Sequence, residues 1–470
     1  MIGGGLAGLS SAVALAEAGF RVRLFEKRPH LGGRATSYLL PDGEHVDNCQ
    51  HVTLGCCTNL ADFYSRVGAA EKIRSYDRLF FLDRRGRRGV IKASSLAPPF
   101  HLAASFAFFP SLGWADKGAI ARAMFSLVRC GGRPADANGA TMLDWLRRHR
   151  QTSGAIERFW RVVLVSALNE ELDRAGARYA TLVFWKAFLA NRSGFQVGIP
   201  AVPLAELYDG CRDAIERRGG EVRTRTGIRE IRVAEGAVRA VRLDDGTEVS
   251  GDFFVAAVPH EGLLEILPGS IAEREPTFAN LHNLRVSPIT GVHLWFDREV
   301  MTEPFLALLD RTVQWIFNKS RLYALPDEMS SSEARGAAPE QYLQLVISAS
   351  YDLVPRSRQE IIDLCRAELF DALPATRQAR LLKATVVKET AATFSPEPGC
   401  DRWRPTQRCS VKNLFLAGDW TETGWPATME GAVRSGYLAA EAVLSSEGRP
   451  QRLLKPDLPA EGLARRWASE

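Results

Sequence analysis

Near its N-terminus the chain reads Met1-Ile2-Gly3-Gly4-Gly5-Leu6-Ala7-Gly8. The glycines have the G-x-G-x-x-G spacing, and the Ala- and Leu-rich residues 9–18 that follow predict a helix. Residues 20–25 then predict a strand that ends at Glu26. Such a loop lets the backbone approach a pyrophosphate, and the helix N-terminus offers N–H groups to the anion. We therefore predict dinucleotide binding by Gly3, Gly5, Leu6, Ala7 and Gly8.

The acidic residue after the predicted strand identifies the class of nucleotide. Glu26 lies near the offset at which a carboxylate binds an adenosine ribose, which favours FAD or NAD over NADP. A glycine loop of this kind follows a buried strand, yet only Met1 and Ile2 precede Gly3. We therefore expect the true start several residues upstream, which the intact mass of the native protein would test.

Composition excludes several classes of protein. A chain of 470 residues, 46% of them hydrophobic, is long enough for more than one domain and is not a small binding module. Sixty Lys and Arg against 55 Asp and Glu leave a net charge of +5, which is too small to indicate nucleic-acid binding. Eight cysteines without a C-x-x-C pair or secretory signal predict reduced thiols, a cytoplasmic protein and no metal site.

Residues 26–34 contain a motif that is typical of a protein family. They resemble the E-x5-G-G-R element of flavin-dependent amine oxidases and phytoene desaturases. The resemblance implies FAD rather than NAD, with Glu26, Lys27, Gly32, Gly33 and Arg34 along the cofactor. It also implies a backbone contact from Ile228 to adenine.

A second cofactor element is predicted near the C-terminus. Residues 411–417 predict an apolar strand that ends in Gly418-Asp419, and a helix is expected over residues 428–444. In the resembling families Gly418 and Asp419 would hold the ribityl-phosphate portion. The helix N-terminus would direct its positive dipole end at the N1 and O2 edge of the flavin. Its predicted contacts are Met429, Glu430, Gly431 and Ala432.

The expected fold class is α/β, α+β overall, with a Rossmann-type FAD-binding domain and an interleaved substrate-binding domain. We assign residues 1–66, 200–260 and 383–448 to the FAD-binding domain, and residues 67–199 and 261–382 to the substrate-binding domain. Residues 449–470 form a C-terminal tail. Strands and hairpins are predicted over residues 221–233, 238–249 and 253–258. Trp160, Leu164 and Leu168 repeat at helical spacing and are interpreted as core.

Four stretches, residues 47–51, 80–92, 292–297 and 418–426, resemble the squalene-associated FAD-dependent desaturases, a group that includes bacterial hydroxysqualene dehydroxylase. The resemblance implies reductive loss of an allylic hydroxyl from hydroxysqualene, giving squalene for hopanoid or related triterpenoids. The electron donor and the oligomeric state stay open. A dry site with aromatic faces would suit the cation that forms when water leaves. Its predicted aromatic wall comprises Trp420, Trp425, Trp295 and Trp315, with Phe106, Phe108 and Phe109 as further candidates.

Three residues are candidates for the acid that protonates the hydroxyl: Asp47, His51 and Glu430. The sequence does not choose among them. Oxidative desaturation of a phytoene-type substrate, amine oxidation and a non-enzymatic flavoprotein are the alternatives. Amine oxidases commonly carry a lysine on the strand comparable to residues 286–296, where this chain has none.

A basic cluster precedes the longest stretch without charged residues. Arg84, Arg85, Arg87, Arg88 and Lys92 lie directly before residues 93–115. Three prolines in this stretch argue against a membrane span. One hypothesis is peripheral contact with anionic lipid on the inner face of the cell membrane, and the other is a solvated hairpin followed by a pocket wall.

Overall fold

A computed structural model describes residues 1–324 and 340–468, and its first layer is a small parallel sheet. Arg23–Phe25 pairs with Glu221–Arg223, and Phe254–Ala256 pairs with Leu414–Leu416. Ile2 joins the two pairs, because it forms parallel bridges to both Phe25 and Ala256. The sheet therefore brings together segments from both ends and the middle of the chain.

Helices from the two ends of the chain pack against each other beside this sheet. They are Leu6–Glu17 and Met429–Ser446, so the helices predicted at both ends are confirmed. The crossing depends on Gly436, where a Cβ would lie 2.3 Å from the carbonyl oxygen of Ala7 and 2.1 Å from Ser10 Oγ. This close approach positions the starts of both helices on one side of the molecule.

The second layer is a seven-stranded sheet. All neighbouring strands are antiparallel except Phe305–Leu308 and Arg78–Leu82, which are parallel. The predicted domain boundary at residue 383 falls inside the strand Leu381–Phe394, which pairs with Val286–Phe296 and so lies with this sheet. The order is Leu381–Phe394, Val286–Phe296, Gln341–Ser348, Trp315–Asn318, Phe305–Leu308, Arg78–Leu82 and Arg88–Lys92.

A helical layer covers one side of the seven-stranded sheet. Trp160, Leu164 and Leu168 are fully buried in it, which confirms their interpretation as core. Trp160 ends one of two π-helical segments, Ile156–Trp160 and Phe184–Leu189. The α-helices of the layer are Trp114–Arg129, Met142–Arg148, Ser153–Ala155, Arg161–Leu168 and Ala177–Val183.

The remaining elements connect the layers. The strand predicted over residues 221–233 is divided, because Glu221–Arg223 joins the parallel sheet and Ile228–Ala234 starts an antiparallel one. The other strands are Ala237–Leu243 and Glu248–Val249, Ser37–Leu39 and His45–Asp47, and Thr53–Leu54, Val197–Pro200 and Ile73–Tyr76. The other α-helices of the described residues are Thr58–Arg66, Ala103–Ala107, Asp209–Glu216, His260–Ile266, Gly269–Ala272, Pro276–Ala279, Lys319–Tyr323 and Arg358–Ala372.

The predicted tail packs across the molecule. Lys455 N donates to Asn59 Oδ1 at 2.8 Å, and Leu463 N donates to Pro98 O at 3.0 Å. Within the uncharged residues 93–115 the only complete helix is the short Ala103–Ala107. Across the described ranges, no helix combines the length and the apolar character needed to cross a bilayer.

Candidate active site

A cavity of about 660 Å³ lies where the glycine loop, the start of the C-terminal helix and the helical layer meet. Two predicted cofactor residues do not line it. Gly8 lies behind the loop, and Gly431 N donates to Thr428 Oγ1 at 3.0 Å. The predicted residues that do line it are Gly3, Gly5, Leu6, Ala7, Glu26, Lys27, Gly32, Gly33, Arg34, Ile228, Gly418, Asp419, Met429, Glu430 and Ala432.

The N-terminal loop has the form of an anion cradle. Gly3 has a φ of +100°, and a Cβ on Gly8 would lie 2.1 Å from Gly3 O, so both positions require glycine. At Gly5, by contrast, a Cβ would meet only Gly33 Cα at 3.7 Å, which leaves space in front of the loop. Leu9 N makes the first i→i−4 bond of the helix, to Gly5 O, so the amides of the preceding turn are available to a ligand.

Glu26 is held rigidly at one end of the cavity. Its Oε2 accepts from Gly4 N at 2.7 Å, and its Oε1 accepts from Arg28 N at 2.8 Å. Thr226 N donates to the backbone oxygen of Glu26 at 2.9 Å, and Thr226 and Asp244 line the same cavity. The sequence analysis did not identify these two as site residues. The carboxylate keeps lone pairs for the hydroxyls of a ribose.

The two cofactor elements are tied together by an ion pair. Arg34 Nη2 lies 2.6 Å from Asp419 Oδ1, and Arg34 Nη1 donates to Ala392 O at 2.7 Å. The sequence identified both residues of this pair separately, but it gave no sign that they meet. Their contact fixes the glycine-rich elements from opposite ends of the chain against one cavity.

A buried arginine that the sequence analysis missed organises the C-terminal loop. Arg404 Nη2 donates to three backbone oxygens, those of Asp419 at 3.1 Å, Thr421 at 2.6 Å and Trp425 at 2.9 Å. Its Nη1 donates to the hydroxyl of Tyr179 at 2.5 Å. Because its partners on the loop are mainly carbonyl groups, no side-chain pattern around Arg404 signals this role.

Glu430 lines the cavity, but its carboxylate serves another helix. It accepts from the backbone N–H groups of Asn59 at 3.3 Å and Leu60 at 2.8 Å, in the first turn of Thr58–Arg66. Burial raises the pKa of this carboxyl, while these donors and Arg434 oppose the rise. The interpretation of Glu430 as the acid is corrected, because its oxygens are occupied by donors to the carboxylate form.

Asp47 does not line the cavity. Its carboxylate is buried and accepts from Lys319 Nζ at 2.7 Å, Tyr323 OH at 3.0 Å and Ser37 Oγ at 2.8 Å. Burial works against ionisation, but the Lys319 ammonium and the hydrogen bonds outweigh it and lower the pKa of Asp47. Asp47 is therefore corrected from a candidate acid to a structural carboxylate.

His51 lines the cavity, and one of its two ring nitrogens has no hydrogen-bond partner among the described residues. Its Nδ1 donates to Cys49 O at 2.9 Å, which leaves Nε2 for a ligand. Burial lowers the pKa of His51, and the bond to Cys49 O only partly opposes this. The neutral imidazole is therefore the resting form at neutral pH, and its protonated form is a stronger acid than free histidine.

Two of the four tryptophans predicted for the aromatic wall line the cavity. Trp420 and Trp425 line the cavity, and the Trp425 indole N–H is buried without a partner in the described structure. Trp295 instead stacks on Tyr342 with ring centroids 4.5 Å apart, and Trp315 Nε1 donates to Ser166 Oγ at 2.6 Å from behind the wall. The predictions for Trp295 and Trp315 as lining residues are wrong, as are the further candidates Phe106, Phe108 and Phe109.

One side of the cavity is made by residues outside the glycine elements, which we call the substrate-side wall. It consists of the lining residues within 49–57, 166–169 and 182–187, together with Ile289 and Trp425. Apart from His51 and Lys186 it has no ionisable group other than thiols, and it has no Asp or Glu. The acidic lining residues lie elsewhere on the cavity. Glu26, Asp419 and Glu430 belong to the cofactor elements, Asp244 follows the strand Ala237–Leu243, and Glu265 lies on the helix His260–Ile266.

Metal-ligating groups do not gather anywhere in residues 1–324 or 340–468. The eight cysteines are all free thiols, and burial raises the pKa of Cys49 to about 12. The cavity therefore offers glycine cradles, free helix amides and an apolar wall, a set that fits a dinucleotide beside an uncharged substrate.

Comparison with known proteins gives consistent matches over nearly the whole chain. A family model described as flavin containing amine oxidoreductase matches residues 6–444. The chain is 29% identical over 470 residues to the 15-cis-phytoene desaturase of Solanum lycopersicum, covering 96% of this chain and 79% of that protein. It is 27% identical over 483 residues to the zeta-carotene desaturase of Synechocystis sp., covering 96% and 98%. A solved oxidoreductase from Methanosarcina mazei shares the fold, with a TM-score of 0.71, 17% identity and coverage of 93% and 97%.

Proposed function

Because this chain belongs to the flavin-containing amine oxidoreductase family, we propose that it is an oxidoreductase that uses its FAD to remove the allylic hydroxyl of hydroxysqualene, giving squalene. FAD dependence follows from the family, and the cavity fits the cofactor. The open space at Gly5 and the free amides of the following helix suit the pyrophosphate. Glu26 suits the adenosine ribose, and the helix that starts at Met429 suits the flavin.

The observation that carries the substrate class is the composition of the substrate-side wall. It contains no carboxylate that could serve as counter-ion to an ammonium group, and its single lysine, Lys186, is paired with Asp457. The strand Val286–Phe296 contains no lysine either. An amine substrate is therefore disfavoured. An uncharged hydrocarbon chain requires only apolar contact, which Leu54, Leu182, Val183, Ala187 and Ile289 supply.

The reaction requires one proton and one hydride, which together amount to two protons and two electrons. The C–O bond breaks with the oxygen leaving as water, and a new C–H bond forms at the same allylic system. When bound, reduced FAD supplies the hydride for that bond, and an external two-electron donor restores it. The protein has to deliver the proton, keep bulk water out and face the transient positive charge with π-electrons. His51 suits the first task, and Trp420 and Trp425 suit the last two.

Replacing His51 by alanine is expected to lower turnover by about a hundredfold or more while FAD stays bound, because general acid catalysis typically contributes that much. The measurement is single-turnover conversion of substrate, with FAD content read from the visible spectrum. His282→Ala is the matched control, since His282 is an exposed histidine outside the cavity. Wild-type turnover in His51→Ala would remove His51 as the acid.

The pH profile of the same assay reports the form of His51 that acts. If protonated His51 is the acid, the rate falls as pH rises through a pKa below the ordinary 6.5. If neutral His51 acts as a base, the rate rises through the same pKa and then stays constant. In either case the His51→Ala profile should lack this inflection.

Oxidative desaturation of a longer isoprenoid is the second candidate, and two observations favour it. The relatives described above are named phytoene and zeta-carotene desaturases. The lowered pKa of His51 also keeps it neutral, which suits a group that accepts a proton. The same cavity and cofactor would then work with oxidised FAD as hydride acceptor.

One experiment separates the two candidates. Purified FAD-loaded protein is incubated anaerobically with dithionite and hydroxysqualene, and in parallel, without reductant, with phytoene and an electron-accepting quinone. Products are identified by mass spectrometry, with heat-inactivated protein as control. Squalene in the first reaction supports dehydroxylation. Its absence, together with desaturated product in the second, would replace the proposal by desaturation.

A further inference from the structure

Exposed apolar side chains are concentrated in one part of the molecule. Among the described residues eleven large hydrophobic side chains are exposed, and seven of them lie within residues 90–125 or at Leu463. Phe108 and Trp114 are the extremes, with 85% and 80% of their surface accessible. We call these seven the apolar patch: Val90, Leu96, Phe100, Phe108, Trp114, Phe125 and Leu463.

Hydrogen bonds hold neighbouring segments of the patch together. The short helix Ala103–Ala107 is bonded to the strand Arg88–Lys92 on one side and to the helix Trp114–Arg129 on the other. The C-terminal tail is bonded to the loop that precedes Ala103–Ala107. The bonds are Ser105 Oγ to Lys92 O at 2.7 Å, Lys117 Nζ to Ala107 O at 2.7 Å, and Leu463 N to Pro98 O at 3.0 Å. The exposed apolar residues are therefore carried by adjoining, ordered elements.

The helix Trp114–Arg129 shows how the patch is built. Trp114 and Phe125 are eleven residues apart, close to three full turns, so they lie on the same face. Residues of the opposite face, such as Ile120 and Leu127, are buried in the core. Lys117 Nζ lies 4.8 Å from the Trp114 ring and Arg129 Cζ lies 5.9 Å from the Phe125 ring. Each aromatic tip is thus accompanied by a cation.

The sequence around the apolar patch carries mainly positive charge. Residues 84–133 contain nine Lys and Arg and a single acidic residue, Asp116, which makes a net charge of +8. The whole chain carries only +5, so the remainder is net negative. Asp116 is itself occupied, since its carboxylate accepts from Gly113 N at 2.9 Å and from the hydroxyl of Thr152. Arg87 is paired with Asp83 and Arg88 with Glu303, but the other seven cations form no ion pair with a described residue, so most of the positive charge beside the apolar patch is not neutralised locally.

We propose that the apolar patch docks the protein on an anionic lipid bilayer. Protruding aromatic side chains enter the boundary between headgroups and acyl chains without needing matched pockets, and the surrounding cations attract anionic headgroups. A bilayer fits better than a protein partner, because the aromatics stand out singly between basic residues. The proposal is independent of the reaction, since it concerns a surface that shares no residue with the cavity lining.

The test is co-sedimentation of FAD-loaded full-length protein with vesicles in the absence of substrate. One set of vesicles is phosphatidylcholine, and the other contains about 30% phosphatidylglycerol. We expect binding to the second set, with about tenfold weaker binding to the first and at high salt, where the Debye length falls to about 3 Å. The aromatic variant Phe108→Ser/Trp114→Ser/Phe125→Ser should bind at least about tenfold less to both sets.

Matched variants separate docking from a general loss of surface residues. The apolar control is Leu39→Ser/Val354→Ser/Leu382→Ser, whose three positions are exposed elsewhere on the molecule. The charge variant Arg84→Gln/Arg85→Gln/Arg122→Gln should weaken binding only to anionic vesicles, whereas Arg274→Gln/Arg356→Gln/Arg358→Gln should not. FAD content and thermal midpoint confirm that each variant folds.

Three results would overturn the proposal. They are wild-type protein that does not sediment with anionic vesicles, an aromatic variant that binds as well as its control, and a patch that is covered by a second copy instead. The last case would appear in light scattering as a wild-type dimer and a monomeric aromatic variant. Because no step involves turnover, failure here leaves the proposed function untouched, and failure of the proposed function leaves this surface in place.

Discussion

Replacing Gly8 by alanine is expected to abolish FAD retention. The added Cβ would lie 2.1 Å from the carbonyl oxygen of Gly3 and 3.2 Å from the Cβ of Ala257, so the helix Leu6–Glu17 must move away from the loop. The free amides of its first turn would then no longer face the pyrophosphate. We expect an FAD affinity at least about a hundredfold lower, equivalent to about 3 kcal/mol, measured by fluorescence titration of apoprotein.

Two further variants keep this result interpretable if Gly8→Ala folds poorly. Gly5→Ala adds a Cβ that contacts only Gly33 Cα at 3.7 Å, so the apoprotein should keep its thermal midpoint while the methyl group intrudes on the cofactor. Gly262→Ala is the control, because Gly262 also lines the cavity but has open space around its Cβ position. Normal FAD affinity in both Gly8→Ala and Gly5→Ala would contradict the assignment of the loop to the pyrophosphate.

The second large effect is expected at Lys319, which the sequence did not single out. Lys319 and Asp47 are both fully buried, and Lys319 Nζ also donates to Gln50 Oε1 at 2.9 Å. Lys319→Met would leave the Asp47 carboxylate buried without its counter-ion. Breaking a buried pair from one side costs about 3–5 kcal/mol, so for a chain of 470 residues we expect the thermal midpoint to fall by about 3–5 °C. Calorimetry of wild type and variant measures it.

A double-mutant cycle tests the cause of that loss. Asp47→Asn/Lys319→Met removes both charges, so it should recover part of the stability. Lys383→Met is the control. Its pair with Asp42 and Glu44 is largely solvated, and its loss should cost less than about 1 kcal/mol. Equal losses at Lys319 and Lys383 would contradict the importance of the buried pair.

The pH dependence of this pair has a definite sign. The pKa of Asp47 is lowered in the folded protein, so its stabilising contribution is present above the unfolded value of 3.8. It is lost as pH falls through the folded value. In Lys319→Met the unpaired carboxyl takes up a proton more easily, so the difference between wild type and variant should shrink on acidification.

The same pair connects the core to the cavity. Lys319 holds Gln50, and Gln50 Nε2 donates to the backbone oxygen of His51 at 3.1 Å. Loss of Lys319 should therefore also disturb the position of His51. A lower turnover in a Lys319→Met preparation that is still folded and FAD-loaded would be consistent with this contact.

Local spacing was sufficient to predict the glycine loop and Glu26, because a dinucleotide-binding turn requires particular residue types at fixed short separations, for steric reasons that act within a few residues. The buried stripe of Trp160, Leu164 and Leu168 could be identified for the same reason, since helical periodicity is a local property. Arg34 and the segment from Gly418 were predicted from the family resemblance of their motifs.

The errors arose where side-chain direction or distance along an element mattered. Asp47 belongs to a segment that reaches the cavity at Cys49, yet its own side chain is turned into the core toward Lys319. Trp295 is on the correct strand, but it lies six residues beyond Ile289, which amounts to about 20 Å in an extended strand. Glu430 sits at the correct helix start, but its carboxylate bonds to another helix.

Tertiary packing alone determined which of these groups meet. Arg34 with Asp419, Arg404 with three loop carbonyls, and Lys319 with Asp47 each join positions whose pairing no local pattern encodes, because charged and polar groups find buried partners only when the chain has folded. Packing likewise turned Phe108, Trp114 and Phe125 outward but Phe109 and the tryptophans of the C-terminal loop inward. Residue spacing and family resemblance thus established the cofactor and the fold class, whereas the three-dimensional arrangement selected His51 as the candidate proton donor.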